Sequence, residues 1–479
     1  MINGANIRKT YYYLKRNGIK NTFYAVCERI LENPNPQYCY APISEEERTR
    51  QTETVWEEKI KFSILVPMYE TAPVHATEMI QSVLDQTYPY FELILADASK
   101  SDTVFETVRS FCDKRIRYER LTTNGGISEN TNAALQLAKG EYTALLDHDD
   151  LLTPDALYEM ASAITAAGKE GKPPAFLYSD EDKCDSKAEI FYEPNIKPGF
   201  NLDLLLSNNY ICHFLVMDTE LMKKTGFRKE YDGAQDFDLI LRAYTNKEKD
   251  RQILHIGKVL YHWRCHALST AENPQSKQYA YEAGRRAVED FLAKEQMEAK
   301  VIHTKHNGFY RIVYDENPQK IADAVFAQRK DIGILSGPLY TGNKITGGIY
   351  NKNMECPYTG LNRYYSGYLH RAALQQDTEM ADIRNMVIRE ELLDIVRNAL
   401  ENMKLNHELT NEFLPELLHA FAQKDTDEVN RVLHLHKISE ETISLLNRCI
   451  CGRIREEGRL IYWDPQFLPP DGKWKLTGK

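Results

Sequence analysis

Leu145-Leu146-Asp147-His148-Asp149-Asp150 is the stretch from which the rest of this chain is read. Tyr142 to Leu146 is a short apolar run with the character of a buried strand. After the acidic residues, Thr153-Pro154-Asp155-Ala156 has the form of a helix start, Thr suiting the cap and Pro the first helical position. Carboxylates this close at a strand end repel one another unless a cation offsets their charge. Asp147 and Asp149, one residue apart, can turn toward one hard divalent ion, and all-oxygen ligands favour Mg²⁺ or Mn²⁺. The alternative is a solvated acidic turn. The succession of strand, acidic turn and capped helix favours the ion.

Upstream, strand and helix patterns alternate. Phe62-Ser-Ile-Leu-Val66 is a buried strand ending at Pro67, and Met79, Ile80, Val83 and Leu84 form a helical face. Strands follow at Phe91 to Ala96 and Ile116 to Glu119. A helix from Ala133 to Ala138 closes on Gly140, then come Tyr142 to Leu146 and a helix from Thr153 to Ala167. This alternation predicts an α/β fold, a mostly parallel sheet with helices on both faces and ligands outside the carboxyl ends of the strands. Tyr69-Glu70, Asp97 and the Asp147–Asp150 knot all fall at such ends. The first strand is not followed by G-x-G-x-x-G, and G-x-x-x-x-G-K-[ST] is absent, which argues against a dinucleotide dehydrogenase and a P-loop NTPase.

With 479 residues, 42% of them hydrophobic, the chain can hold two or three domains with real cores. A net charge of -10 and a pI near 5.8 argue against a nucleic-acid binder. No apolar run approaches the ~20 residues of a membrane span, and Met1 to Tyr13 lacks the apolar core of a signal peptide. Nine scattered cysteines fit reduced thiols in a cytoplasm, and Cys449-Ile-Cys451 is too isolated to read as a metal site.

Four regions are expected. Residues 1–58 form a helical extension, in which Ile7, Tyr11, Leu14, Phe23, Val26 and Ile30 recur at helical spacing among Arg8, Lys9, Lys15, Arg16 and Lys20. Such a basic, tyrosine-rich helix either lies on an anionic membrane surface or packs on its own domain. Residues 59–300 carry the chemistry, 301–329 a connecting strand and linker, and 330–479 an accessory module.

Several segments then stand in a telling order. They are Phe62-Ser-Ile-Leu-Val-Pro-Met-Tyr-Glu70, Val83-Leu-Asp-Gln-Thr-Tyr88, Glu92-Leu-Ile-Leu-Ala-Asp97, Asn124-Gly-Gly-Ile-Ser128 with Asn132, and Gly140-Glu-Tyr before the acidic knot. Tyr178-Ser-Asp-Glu-Asp182, Gly233-Ala-Gln-Asp-Phe-Asp-Leu239 and Val259-Leu-Tyr-His-Trp-Arg264 follow. Together, over roughly residues 60 to 300, they resemble family 2 glycosyltransferases of the GT-A fold, most of all those that build bacterial surface polysaccharides, rhamnosyltransferases included.

The resemblance implies an inverting, metal-dependent transfer from a UDP- or dTDP-sugar donor to a surface-polysaccharide or lipid-linked glycan acceptor. The enzyme would sit in the cytoplasm or at the inner face of the membrane. Asp97 would accept the N3–H of the uracil or thymine ring, although the family's usual second acid is Ala98 here. Pro67, Tyr69, Glu70 and the Asn124 loop would border the nucleotide. Asp147 and Asp149 would hold Mn²⁺ or Mg²⁺ on the donor diphosphate, with His262 or His266 completing the shell and Arg264 binding phosphate. Asp236, at a helix start where the dipole favours negative charge, takes the place of the base that deprotonates the acceptor hydroxyl; Asp238 is the less favoured choice. Asp180, Asp182, His213 and His266 are candidates for sugar or acceptor hydroxyls.

In the tail, Asp331-Ile-Gly-Ile-Leu-Ser-Gly337, Ile345-Thr-Gly-Gly-Ile349, Arg384-Asn-Met-Val-Ile-Arg389, Leu446 to Gly458 and Arg459-Leu-Ile-Tyr462 faintly resemble the later half of the same fold, without a second Asp-x-Asp closing any of these strands. The reading is a truncated, inactive transferase-like repeat; the alternative is an unrelated helical domain. Two rivals stand for the whole chain. One is a non-catalytic glycan-binding scaffold. The other is a sugar-nucleotide nucleotidylyltransferase, which would carry a glycine-rich loop where this chain has Pro67-Met-Tyr-Glu70.

Overall fold

The computed structural model describes residues 4–31, 38–265, 278–403 and 412–468, with side chains from Thr10 onward in the first stretch. The chain divides into two compact units, one of Asn35–Phe200 and Asn209–Phe291, the other of Met1–Pro34, Asn201–Asn208 and Leu292–Lys479.

The first unit is built on nine strands: β1 Phe62–Met68, β2 Phe91–Asp97, β3 Ile116–Arg120, β4 Tyr142–Leu145, β5 Leu151–Leu152, β6 Phe176–Cys184, β7 Phe191–Asn195, β8 Leu215–Asp218 and β9 Ile253–Arg264. Their order is β3-β2-β1-β4-β8-β6-β9-β5, with β7 on β6. The pairs among β1 to β4 are parallel, as the alternation predicts. Beyond β4 the sheet is mixed: β8 runs antiparallel to β4 and β6, whereas β6 and β9 are parallel. In β1 every residue but Pro67 is buried, as suits a strand covered on both faces. The helix Pro73–Leu84 covers one face through Ala76, Met79, Ile80 and Val83. Gly140 admits β1: a Cβ there would lie 2.5 Å from the Lys61 carbonyl oxygen and 2.7 Å from the Ser63 nitrogen.

The helix expected from Thr153 begins instead at Ala156. Thr153 extends the β5–β9 pairing, its N–H bonding Leu260 O at 3.1 Å and its carbonyl accepting Gln86 Nε2 at 2.6 Å. Tertiary bonds thus outweigh the local cap signal.

The second unit carries a hairpin of β10 Lys300–His303 and β11 Tyr310–Val313, β12 Ile332–Ser336, a hairpin of β13 Leu339–Thr341 and β14 Lys344–Gly347, then β15 Gln376–Asp377, β16 Met386–Ile388 and β17 Leu460–Trp463. Four of these form a sheet in the order β15-β17-β12-β16. A separate core buries Val396, Leu417, Val432, Leu446 and Ile450 from four helices beneath it. The short helix Leu202–Ser207 belongs here too, its buried Asp203 paired with the buried Arg329 at 2.5 Å.

The region expected as one extension over 1–58 is divided between the units. The helix Gly4–Leu31, broken at Gly18 (φ 76°), sits with the second unit: Glu28 Oε1 accepts the N–H groups of Ser366 and Gly367 at 2.9 and 2.7 Å. Trp56 instead joins the first core, its ring 4.9 Å from Tyr88 and 5.2 Å from Tyr158.

Candidate active site

At the carboxyl ends of β1 and β4 a cavity of about 510 Å³ opens within the first unit, bordered by Pro67, Asp147, Cys212, His213, Asp236 and Trp263. The Asp147–Asp150 turn is built from β9. Buried Asp150 accepts the Tyr261 hydroxyl at 2.5 Å and the Arg264 N–H at 2.7 Å. Burial, then the charges of Asp147 and Asp149, push the Asp150 carboxyl well above its usual range. Arg264 is fully buried: Nε donates to Asp149 O at 2.6 Å, Nη1 to Ser186 O at 2.9 Å, and Glu78 pairs with it at 2.7 Å. It is a staple under the turn rather than a side chain of the cavity wall.

Strand alternation sorts the neighbours. On β9, Trp263 faces the cavity. His262 packs away from it between Tyr40 and Phe191, ring centroids 4.4 Å from each, with Nδ1 2.5 Å from Asp182. On β6, Asp180 and Asp182 are buried and already engaged, Asp180 with His255 Nε2 at 2.7 Å and Asp182 also with the Tyr38 hydroxyl at 2.6 Å. Glu181, between them, turns the other way and contacts His213. His266 lies outside the described residues.

His213 is the best-supported side chain at the cavity wall. Its ring stacks on Tyr261, centroids 4.8 Å apart and 12° from parallel. Nε2 stands 3.8 Å from Asp147, and Nδ1 lies 3.2 Å from Glu181. Lys197, itself buried, approaches Glu181 to 3.9 Å and donates to the Ile211 carbonyl at 2.9 Å. Burial opposes charge on His213, but the hydrogen bond and charge of Glu181, with Asp147 beyond, push its pKa up to about 9. Burial likewise opposes charge on Glu181, and Lys197 and His213 outweigh it, holding that carboxyl down to about 2. At Asp147, half exposed at the cavity, desolvation by the surrounding walls raises the pKa, with His213 working against it and Asp149 reinforcing it.

Asp236 is the second residue of the helix Gln235–Asn246. Its Oδ1 accepts the Phe237 N–H at 2.8 Å, and its Oδ2 accepts the Asn209 amide at 3.2 Å. The Cys212 thiol beside it is pushed well above its usual range by burial and then by the Asp236 charge. Gly233 (φ 93°) makes the approach to this helix: a Cβ there would stand 2.8 Å from both Ala280 and Tyr279. Asp238, two residues on, is buried and taken by Arg242 at 2.6 Å and by Arg228.

The remaining predicted residues, Asp97 at the last position of β2 and the others in loops, lie at the same sheet end but are not among the residues lining the cavity. Asp97 is buried, accepting the Tyr118 hydroxyl at 2.6 Å and the Ser99 N–H at 2.8 Å. Glu70 accepts the Lys100 N–H and the Ser101 hydroxyl, each at 2.7 Å. Asn124 Oδ1 accepts from Gly126 N and Asn130 Nδ2 at 3.1 and 3.0 Å. Tyr69 is exposed. Asn209 and Cys212 stand in the segment Asn209-Tyr-Ile-Cys-His213, which the family resemblance places at the sugar and acceptor sites, but sequence reasoning selects only His213 from it. It does not single out Glu181 or Lys197, although Glu181 carries a signal as the residue of opposite parity within Asp180-Glu181-Asp182.

Comparison with known proteins agrees with this geometry. Residues 63–226 match the model of glycosyl transferase family 2. The chain is 43% identical over 237 residues to the uncharacterized protein y4gI of Sinorhizobium fredii, covering 48% of this chain and 25% of that one. It is 32% identical over 243 residues to the O-antigen biosynthesis protein RfbC of Myxococcus xanthus, covering 50% of this chain and 18% of that one. The matched region thus spans a quarter or less of either relative. The putative colanic acid biosynthesis glycosyl transferase WcaA of Escherichia coli is 30% identical over 208 residues, 41% of this chain and 72% of its own length. With a sheet, an acidic strand end and a relative matched over most of its length all in agreement, the chain belongs to glycosyltransferase family 2.

Proposed function

We propose that this chain transfers a sugar from a UDP- or dTDP-linked donor to a glycan acceptor of a bacterial surface polysaccharide, with inversion at the anomeric carbon. The observation that carries the reading is that Asp147 and Asp236 border one cavity. The names of RfbC and WcaA support the polysaccharide context, and a lipid-linked oligosaccharide is the acceptor form that fits such assembly.

In the proposed reaction Asp236 accepts the acceptor hydroxyl proton as that oxygen forms its bond to the anomeric carbon. The bond from that carbon to the diphosphate oxygen breaks on the opposite face, and its electron pair leaves with the nucleotide. Asn209 and the Phe237 N–H orient the Asp236 carboxylate. His213, held by Glu181, supplies positive charge toward the departing phosphate.

Enzymes of this fold generally use a divalent ion. Among the described residues no three His, Cys, Asp or Glu side chains form a ready cage. Mg²⁺ is commonly held by one or two carboxylates together with substrate phosphates and water, and Asp147, its side chain 48% exposed at the cavity, fits that role with Asp149 beside it. Bound there, Mn²⁺ or Mg²⁺ would neutralise charge on the leaving diphosphate. His262, committed to Asp182, is not needed in this scheme. Donor hydrolysis and transfer assays across UDP-, dTDP- and GDP-sugars, with wild type and Asp236→Asn, test the proposal. Turnover confined to one pyrimidine nucleotide and lost in the variant is the expected outcome; no turnover with any donor would favour a glycan-binding scaffold.

The second unit supports the reading of a transferase-like repeat. In the first sheet β6 is flanked by antiparallel β8 and parallel β9. In the second, β12 is flanked by antiparallel β16 and parallel β17. Helices occupy equivalent places in the chain: Thr219–Thr225 and Leu393–Asn402 follow the antiparallel strands, and Gln235–Asn246 and Glu440–Glu456 precede the parallel ones. Superposing an experimental structure of this unit on the first would test the correspondence.

A further inference from the structure

The helix Gly4–Leu31 has two unlike faces. Inward, Asn17 donates to the Lys305 carbonyl at 3.1 Å, Tyr24 stacks on Tyr364 at 4.3 Å, and Glu28 caps the Ser366 and Gly367 N–H groups. Outward, Ile19, Phe23, Val26 and Ile30 are 81%, 61%, 39% and 73% exposed. Their spacing of four, three and four residues sets them in one stripe along the half of the helix after the Gly18 break. Exposed large apolar side chains are ordinary when scattered; aligned on one helix they mark a contact surface.

Charge selects what covers it. Residues 1–31 carry six Lys or Arg (Arg8, Lys9, Lys15, Arg16, Lys20, Arg29) against one acid, Glu28, in a chain of net charge -10. Glu28 is turned inward, away from the stripe. At about 100° per residue, Lys20 falls on one side of the stripe and Arg29 on the other, the Lys20 amine lying 4.7 Å from the Tyr364 ring. A second copy of this chain docked through the same face would bring cation against cation. A bilayer of anionic phospholipid offers both missing partners, an apolar layer for the stripe and phosphates for its flanks. Among the described residues no helix is long and apolar enough to cross a membrane, so the contact would be peripheral.

We propose that this face rests on an anionic membrane surface, with Ile19, Phe23, Val26 and Ile30 among the headgroups and Lys20 and Arg29 at the phosphate level. The inference stands apart from the transferase reading and is tested without turnover. The full chain is sedimented with vesicles of phosphatidylcholine alone or mixed with phosphatidylglycerol, at low and high salt. Wild type should partition onto the anionic vesicles roughly tenfold or more above the neutral ones, and salt should release it. Ile19→Ser/Phe23→Ser/Ile30→Ser should lose that binding with an unchanged Tm, and Lys20→Glu/Arg29→Glu should lose it as well. Equal partition onto both vesicles, or a triple-serine variant that binds like wild type, would overturn the proposal. So would a wild-type dimer that the triple variant converts to monomer with no vesicle binding by either, an outcome that assigns the face to a second copy.

Discussion

Asn209 Nδ2 lies 3.2 Å from Asp236 Oδ2, joining the segment ahead of β8 to the first turn of the helix Gln235–Asn246. With Oδ1 already on the Phe237 N–H at 2.8 Å, both oxygens have directional partners and the carboxylate cannot rotate freely. In the proposed reaction this holds the carboxylate in one orientation toward the acceptor hydroxyl.

Removing Asn209 should therefore lower turnover more than binding. Asn209→Ala is expected to reduce kcat about 10- to 100-fold with little change in donor KM, whereas Asp236→Asn should cost about 10²–10⁴. Steady-state kinetics of the two variants make the comparison.

Arg264 is a structural staple, and its loss should register as instability as well as inactivity. Arg264→Ala removes the partner of the half-buried Glu78 and leaves the Asp149 and Ser186 carbonyls without their donor, an expected cost of about 1–3 kcal/mol. Arg264→Lys should not restore it, since an ammonium cannot reproduce the guanidinium fork. Urea denaturation checks both.

Glu181 should set the proton affinity of His213. In Glu181→Gln the His213 pKa should fall from about 9 toward the ordinary imidazole range, because the carboxylate that favours the charged ring is gone. NMR titration of His213 reads this. Glu181→Gln also removes the carboxylate 3.9 Å from buried Lys197, whose charge it helps to offset, and Lys197→Met in the same chain should recover part of the lost stability.

A pH effect is expected from the second unit, where the His306 and His370 rings stack at 3.6 Å. Burial holds His306 down to about 2, helped by His370 and Lys305, and holds His370 down to about 4. Both lie below the unfolded value of about 6.5, so the unfolded chain binds more protons and stability falls as pH drops from about 6.5 toward 4. Each ring contributes at most about 1.4 kcal/mol per pH unit. Denaturation at pH 7 and 4.5 should show a smaller loss in His370→Phe than in wild type.

Much of the first unit was legible because its chemistry is written at strand ends. Apolar runs closing on Pro67, Asp97 and Asp147 locate the carboxyl edge of a parallel sheet without any long-range information. Asp236 was legible for a similar reason, standing beside a glycine at a helix start. The later half was harder. Whether Asp182 or a ligand occupies His262 depends on which strand lies beside β9, and the register of β6 on β9 carries two irregularities that no local pattern reveals. Arg264 has the chemistry to grip a phosphate, yet long-range packing spends it on the Asp149 carbonyl. Asn209 and Cys212 stand in a segment the family resemblance covers, but nothing local says that they meet Asp236; only the fold brings them there. The division of residues 1–58 between two units was invisible for the same reason, since Glu28 reaches a partner 338 residues away.

The central claim, a pyrimidine-nucleotide donor gripped at Asp147 beside the Asp236 base, is tested most directly by thermal shift with UDP- and dTDP-sugars in the presence of Mn²⁺ or EDTA, using wild type and Asp147→Ala. The account predicts stabilisation of wild type by one of these donors, dependent on the ion and abolished in the variant. Equal stabilisation of wild type and variant, or none of wild type by any donor, would contradict it.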